Sequence, residues 1–513
     1  MKNEIVNGKS NEYTLRILEH SNFEQEKTAE KYKIKPERLA SLDFQRGLAI
    51  WMMTFLHSFE HLYDYNWVKE NPEKVLELPI PVLIVGLFVG FFACWNAYFL
   101  LISSTVNSLA MTKKIAQKRI QANRMLFKQL LTGFGILIVA YLAACFGYGG
   151  YFGESVREGW QPADVIYRKM FSMTTLHIIG WSMIINGIIH YFLMRKDGHE
   201  KYKRNMIIYS VLALCIIVTS PFIHSWIDNM PWKIPENPPL DLRDSTTWPN
   251  EYFQGYNASF KAWIMVLLGG DMEPLFPYFA TSLIGSMIGL TLARDKSVKR
   301  FPLIGGLTSL GIMGLGGMFI GLGLFTPSNG RPAMGNYLLM LGGQIGMIML
   351  MLGLIEYRGK SDIFANRKIV KHFRLWGMIS LSVYSLQILE ILPKWILSIL
   401  ITYLFVPINL LQHSIFGYTE EFKAILISIY IISFFELMIS LWSKINFKYS
   451  FEWCIINLAS LGSKSKSQRL DVQLILNEVH WTNYKQILLA NKISKTVDAE
   501  TTERLVFQTM KIK

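Results

Sequence analysis

Asp43, Arg46 and His57 stand in one long apolar run, Leu42-Asp43-Phe44-Gln45-Arg46-Gly47-Leu48-Ala49-Ile50-Trp51-Met52-Met53-Thr54-Phe55-Leu56-His57, and the chemistry open to such a set is proton transfer. An ionisable side chain inside a membrane span is costly and is by default a functional candidate. Arg46 and His57 are eleven positions apart, about three helical turns and roughly 16 Å of rise, so they share one helix face at different depths. A histidine kept neutral by burial, with an ordinary pKa of about 6.5, is basic enough to accept a proton. Asp43 lies one turn before Arg46 and can pair with it or cap the helix by accepting backbone N–H groups. A plainer arrangement fits the same two residues: a capping carboxylate and an arginine anchored at the membrane surface.

A second pattern overlaps the end of that run. His57-Ser58-Phe59-Glu60-His61 matches H-x-x-E-H, which sets two histidines at i and i+4 on one face, a spacing that can chelate zinc. A catalytic zinc needs a third protein ligand from another segment, and the chain offers no distinctive partner motif, so no metal is expected. Cys94, Cys145, Cys215 and Cys454 show no CxxC spacing and imply neither a disulfide framework nor a zinc site.

The elements that must position these residues are membrane helices. Of the 513 residues 51% are apolar, 13% aromatic and only 18% charged, a balance that points to lipid as solvent. The net charge of +14 comes from short Lys/Arg runs between apolar segments, which is a topology signal and not a nucleic-acid footprint. A span needs roughly 20 mostly apolar residues, and runs of that kind predict ten, near 45–64, 79–110, 128–150, 168–193, 205–227, 274–293, 302–325, 335–356, 376–394 and 422–443. The expected fold is an all-α polytopic transmembrane helix bundle. Trp395 to Val406 is too short to cross alone and is expected to be re-entrant or interfacial, and Ala262 to Gly270 is expected to lie at the outer surface.

Basic loops set the orientation. Lys113, Lys114, Lys118, Arg119 and Arg124, then Arg195, Lys196, Lys201, Lys203 and Arg204, should face the cytoplasm, and the alternation continues to the basic tail. Both termini are therefore expected to be cytoplasmic, with a polar segment 1–44, a membrane domain 45–455 and a tail 456–513. No cleavable signal peptide is visible, and the expected location is the cell membrane. The tail carries one amphipathic stretch around Val472 to Leu489, to which the sequence assigns no role.

The string Arg38-Leu39-Ala40-Ser41-Leu42-Asp43-Phe44-Gln45-Arg46-Gly47-Leu48-Ala49, completed by the R-x10-H spacing to His57, resembles the opening of the heparan-α-glucosaminide N-acetyltransferase-like membrane acyltransferases. Further pieces agree in order: Asp271-Met272-Glu273-Pro274 with Gly285 and Gly289 after it, Trp376-Gly377-Met378-Ile379-Ser380-Leu381-Ser382-Val383-Tyr384, and Tyr449-Ser450-Phe451-Glu452-Trp453. The last has Tyr449-Ser450-Phe451 where Gly-Pro is usual. The likeness covers about residues 38–455.

The resemblance implies transfer of an acyl group, most simply acetyl from acetyl-CoA on the cytoplasmic side, to a hydroxyl or amine of a carbohydrate or lipid-linked sugar at the other side. No cofactor is implied beyond acyl-CoA as co-substrate, and the oligomeric state stays open, a homodimer included. In that chemistry His57 acts as general base or accepts the acyl group as nucleophile, Arg46 binds a phosphate or polarises the thioester carbonyl, and Asp43 orients Arg46. Asn96, Ser104, Asn107, His177, Asp271 and Tyr384 are the further substrate or donor candidates, and interhelical hydrogen bonding is the bland account of most of them. The competing class is a proton-coupled transporter or flippase that uses the same intramembrane Asp, Arg and His without covalent chemistry.

Overall fold

The computed structural model describes residues 37–64, 66–67, 73–77, 80–93, 97–118, 120–171, 173–230, 259–270, 273–294, 298–324, 333–460 and 469–489. These residues form an all-α polytopic bundle. The helices that build it and its site are α1 (Ala40–Leu62), α2 (Ile80–Ala93), α3 (Tyr98–Ala116), α4 (Ala122–Phe146), α5 (Thr175–Met194), α6 (Tyr202–Asp228), α7 (Phe260–Gly269), α8 (Leu275–Leu292), α9 (Phe301–Gly321), α10 (Met334–Leu354), α11 (Lys368–Met378), α12 (Ser380–Ser385), α13 (Ile391–Leu404), α14 (Glu421–Ser443) and α15 (Phe451–Ala459), with short helices at Tyr151–Glu158 and Asp164–Phe171 between α4 and α5. Extended pairing among the described residues is confined to a two-residue parallel contact of Glu37–Arg38 with His480–Trp481 and a single bridge from Tyr63 to Phe416.

Eight helical stretches among the described residues are long and apolar enough to cross a membrane. They comprise α4 run on to Glu158, α5, α6, α8, α9, α10, Gln387–Leu404 and α14. Helices α1 and α3, of 23 and 19 residues, have the length to cross and carry the polar side chains.

Burial sorts the helices by what they face. Helix α8 is the central one, with 83% of its most apolar stretch buried, whereas α9 has 11% and presents Leu303, Leu307 and Leu310, each at least 60% exposed, to its surroundings. Exposed leucines along a whole helix are stable only where the solvent is itself apolar, which is the lipid environment inferred from composition. Helix α3 lies against α8 at backbone distance because Gly285 and Gly289 remove the side chains between them. A Cβ on Gly285 would sit 2.7 Å from the Leu101 carbonyl oxygen, and one on Gly289 2.9 Å from the Leu109 nitrogen.

The structure corrects two predicted spans. The run 79–110 is two helices, α2 and α3, rather than one. The span placed at 376–394 is broken where the backbone leaves helical geometry at Ile379 (φ −123°, ψ 34°) and at Leu386 (φ −97°, ψ 18°). The helix that follows runs from the turn at Gln387–Glu390 through α13, so Trp395 to Leu404 continues a stretch long enough to cross instead of forming a separate interfacial segment. Glu390 and Lys394 lie one turn apart within it with nitrogen and oxygen 2.9 Å apart, so each offsets the other's charge inside an apolar helix.

The stretch Val472 to Leu489 is likewise packed structure. Val472, Ile475, Val479 and Trp481 are buried in one cluster with Ala40, Ile50 and Trp376, and the Tyr484 hydroxyl donates to the Leu292 carbonyl at 2.8 Å. The boundary set at residue 455 therefore does not end the packed body.

Helices α1 and α11 touch backbone to backbone. A Cβ added to Gly47 would overlap the Phe373 carbonyl, and one added to Gly377 would lie 3.1 Å from the Gly47 nitrogen. Gly47→Ala should therefore lower the thermal stability of the detergent-solubilised chain by about 1–3 kcal/mol through overpacking. Gly306→Ala in α9, where an added Cβ meets nothing within 4 Å, should change it by less than about 1 kcal/mol. Equal effects in a melting series would contradict the crossing.

Candidate functional site

Helix α1 carries polar groups at both ends, and each end meets a different set of partners. At its C-terminal end His57 and His61 line a cavity of about 530 Å³ together with Glu60, Tyr148, Tyr384, Gln387 and His413. The cavity forms where α1, the end of α4, α12 and the loop after α13 come together. Gly147 and Gly150 let the chain turn tightly off the end of α4, where a Cβ added to Gly147 would crowd the Ala143 carbonyl oxygen and one added to Gly150 would lie 2.6 Å from the Ala144 carbonyl oxygen.

The two histidines are held in the same way by different groups. His57 Nδ1 lies 3.1 Å from the Gln387 side-chain oxygen, a contact that the Nδ1–H tautomer satisfies by donating and that leaves Nε2 with its lone pair in that tautomer. His61 Nδ1 lies 2.6 Å from Glu390 Oε1, a carboxylate–imidazole pair with the same consequence. Glu390 is 1% exposed and is fully engaged: Ser58 Oγ donates to Oε2 at 3.1 Å and Lys394 Nζ to Oε1 at 2.9 Å. Lys394 Nζ also donates to the Tyr148 hydroxyl at 2.9 Å, and the Tyr148 ring stacks on His61 with centroids 4.0 Å apart. Arg157 closes the far side, lying over Tyr148 and donating to His413 Nε2.

At the N-terminal end of α1, Asp43 pairs with Arg38, whose two guanidinium nitrogens lie 2.9 and 2.7 Å from the two carboxylate oxygens. The expectation that Asp43 would pair with Arg46 or cap the helix is thus corrected. The N-cap is Leu39, without a side-chain hydrogen bond, and the extended segment before the helix brings Arg38 back over the first turn. Arg46 acts on Asp43 through its field alone, and its Nε is buried without a hydrogen-bond partner. Arg374 adds to the same positive field on Asp43. Guanidinium groups gathered at one helix end are suited to a phosphate or another anion.

Two strings far apart in sequence lock together beside this cluster. Glu452 accepts from the Leu381 and Ser382 backbone nitrogens at 2.6 and 3.2 Å and from Ser382 Oγ at 2.5 Å, capping α12. That cap holds Tyr384 on the cavity wall. Glu356 closes the other flank: its Oε1 accepts from the Ser41 backbone nitrogen at 2.9 Å, while its Oε2 is buried with no partner.

The remaining sequence candidates lie elsewhere. Ser104 and Asn107 line a separate polar void of about 20 Å³ with Asn186, His190 and Ser286, the scale of a single water. Ser104 there hydrogen-bonds Ser282 at 2.8 Å, joining α3 to α8. His177 turns back on its own helix end, its Nδ1 3.1 Å from Thr174 Oγ1 and its ring against Tyr141. Asn96 and Asp271 lie outside the described residues. Of the nine candidates the structure brings His57 and Tyr384 into the large cavity and Asp43 and Arg46 into the charged cluster.

Comparison gives no outside guide to these sites. No family model, no curated protein and no solved structure matches the chain. Among the described residues no group of three or more His, Cys, Asp or Glu is arranged to hold a metal. The H-x-x-E-H pair is divided between two different partners, Gln387 for His57 and Glu390 for His61.

Sequence reasoning missed Glu390, Lys394, Tyr148, Arg157 and His413, and it weighed His61 only as half of a zinc pattern. A signal was available for one pair: Glu390 and Lys394 stand i, i+4 in an apolar run, and intramembrane charges of that kind are functional candidates by default.

Burial pushes the Glu356 carboxyl, two residues beyond α10, up to about 7. The folded chain then holds this proton more tightly than the unfolded chain, so the associated stability is present below about pH 4.5 and lost as pH rises towards 7. Melting temperature should fall between about pH 5 and 8, by the equivalent of up to about 3 kcal/mol. Glu356→Gln, which keeps the acceptor for Ser41, should flatten that dependence, and an unchanged slope would contradict it.

Proposed function

We propose that this chain is a ten-span membrane acyltransferase with both termini cytoplasmic. It takes an acyl group, acetyl in the simplest case, from acyl-CoA on the cytoplasmic side and delivers it to a hydroxyl or amine of a sugar-like acceptor at the outer side of the cell membrane. The observation that carries the reading is His57: its Nδ1 lies against the Gln387 side-chain oxygen, and the residue lines a cavity of about 530 Å³. An imidazole held in one orientation in a partly enclosed cavity is the group acyl transfer requires, as base on the acceptor or as the nucleophile that carries the acyl group. The volume suits a sugar, and the aromatic, amide and carboxylate lining offers both ring faces and hydrogen-bond partners to one.

The other half of the reading is the arginine cluster on the same helix. Arg46 has no hydrogen-bond partner at Nε and stands roughly 16 Å along α1 from His57. A phosphate of CoA bound there would leave the pantetheine arm to follow the helix towards the cavity. A carrier that moves protons is the second reading, and the buried Glu390–Lys394–His61 network is the observation that favours it. Consumption of the donor separates the two.

Acetyl-CoA at 100 times its Kd should stabilise the purified chain by about 2.7 kcal/mol. Arg46→Ala should remove that shift while the protein stays folded. His57→Ala should keep the shift and lower acetyl transfer to glucosamine by about 10²–10⁴-fold. Thermal melts and release of free CoA thiol read both effects. A folded wild-type sample unmoved by saturating acetyl-CoA and free CoA would end the acyl-CoA reading.

A further inference from the structure

The cavity is lined by three histidines, His57, His61 and His413, and His61 is the one with a carboxylate at hydrogen-bond distance behind its ring. His61 has a carboxylate 2.6 Å from Nδ1, whereas His57 has a neutral amide oxygen at 3.1 Å. A carboxylate behind an imidazole fixes the tautomer and stabilises the imidazolium that forms when Nε2 takes a proton. The carboxylate must itself remain ionised inside an apolar helix. Glu390 is given three donors for that purpose, Ser58, Lys394 and His61, with the Lys394 ammonium completed by the Tyr148 hydroxyl.

We infer that His61 is the proton-accepting residue of the cavity, with Glu390 its positioning residue and Lys394 and Ser58 holding Glu390 in place. Among the described residues, the groups around His61 are Glu390 and Lys394 from the α13 segment, His57 from α1 itself, Tyr148 and Arg157 from the region after α4, and His413 from the loop after α13, while Glu60, Asp64 and Lys169 also line the cavity. Of these Glu390 is the carboxylate at the ring nitrogen.

For its chemistry the inference rests on the acyl-transfer reading. His57 Nε2 attacks the thioester carbonyl carbon and the C–S bond breaks with its electron pair on sulfur, leaving an acyl-His57 cation and the CoA thiolate. An acceptor O–H or N–H then gives its proton to His61 Nε2 as the acceptor atom bonds to the acyl carbon, the C–N bond to His57 breaks with its pair on nitrogen, and the His61 imidazolium gives the proton to the thiolate. Acceptor and acetyl-CoA become acetylated acceptor and CoA thiol with no net proton exchanged. The basicity of His61 itself does not depend on that reading, and it can be measured without turnover.

The test is carbethoxylation of the full-length, detergent-solubilised chain by diethyl pyrocarbonate, followed peptide by peptide by mass spectrometry. Glu390→Gln alone would strand the Lys394 charge, so the variant is the neutral pair Glu390→Gln/Lys394→Met. At pH 8, where an imidazole is largely unprotonated and the rate follows its nucleophilicity, His61 should be modified in the wild type and at least about 3-fold more slowly in the pair variant, while His372, which pairs with Glu436 at 3.0 Å away from the cavity, keeps its rate. In parallel, His61→Gln should lower acetyl transfer from acetyl-CoA to glucosamine by about 10²–10⁴-fold at an unchanged melting temperature. Added imidazole should restore part of the activity of His61→Gly. Equal His61 rates in wild type and pair variant, or wild-type turnover in a folded His61→Gln, would overturn the inference. A wild type that transfers no acetyl group yet shows the rate difference at His61 would sink the acyl-transfer reading and leave the proton-accepting role standing.

Discussion

Everything described at the two ends of α1 depends on one contact, the backbone approach of Gly47 to Phe373 and Gly377. Two helices that meet without side chains between them have little freedom to rotate about their own axes. Fixing α1 against α11 turns Asp43 and Arg46 towards Arg374 and the Glu356 side, and it turns His57, Ser58 and His61 towards Gln387 and Glu390. The break between α11 and α13 is part of the same constraint. It redirects the chain so that the turn after α12 faces the far end of α1, and Glu452 stabilises it by satisfying the exposed nitrogens of α12. A continuous helix through 376–394 would carry Gln387 and Glu390 along a different line.

The cost of burying charge explains why the cavity wall is built as it is. A lone carboxylate or ammonium in an apolar interior is strongly unfavourable, and a pair is tolerated only when the remaining hydrogen-bonding capacity is met. Glu390 and Lys394 are 1% and 0% exposed and meet that condition through Ser58, His61 and Tyr148. Glu356 solves the same problem differently, by shedding charge: with one oxygen unpartnered it holds its proton up to about pH 7. The packed segment around residue 481 closes over that end of α1, where Thr482 donates to the Arg38 carbonyl at 3.0 Å and Trp481 lies against the Arg374 guanidinium.

Much of the scaffold was legible in the sequence, and the site was legible in part. Long apolar runs bounded by charge identify membrane helices because lipid satisfies no backbone group, so α4, α5, α6, α8, α9, α10 and α14 fall close to their expected places. His57 stood out because an imidazole in such a run is conspicuous. What failed was long-range pairing. The break at Ile379 depends on Glu452, 70 positions or more away, and neither proline nor a polar gap marks it. Helical spacing suggested Arg46 as the partner of Asp43, yet Arg38 reaches it from outside the helix, where i, i+3 rules do not apply. His61 and Glu390 are 329 positions apart, so the sequence exposed each residue and concealed the pair.

If the two ends of α1 serve one reaction across the membrane, as proposed, donor and acceptor must be consumed on opposite faces. Proteoliposomes with the chain in a single orientation would be given labelled acetyl-CoA at the face bearing Arg46 and glucosamine only at the face bearing His57. Labelled N-acetylglucosamine should appear on the glucosamine side and free CoA on the donor side in equal amounts. Unmodified glucosamine crossing the membrane while acetyl-CoA remains intact would contradict it and make the chain a carrier.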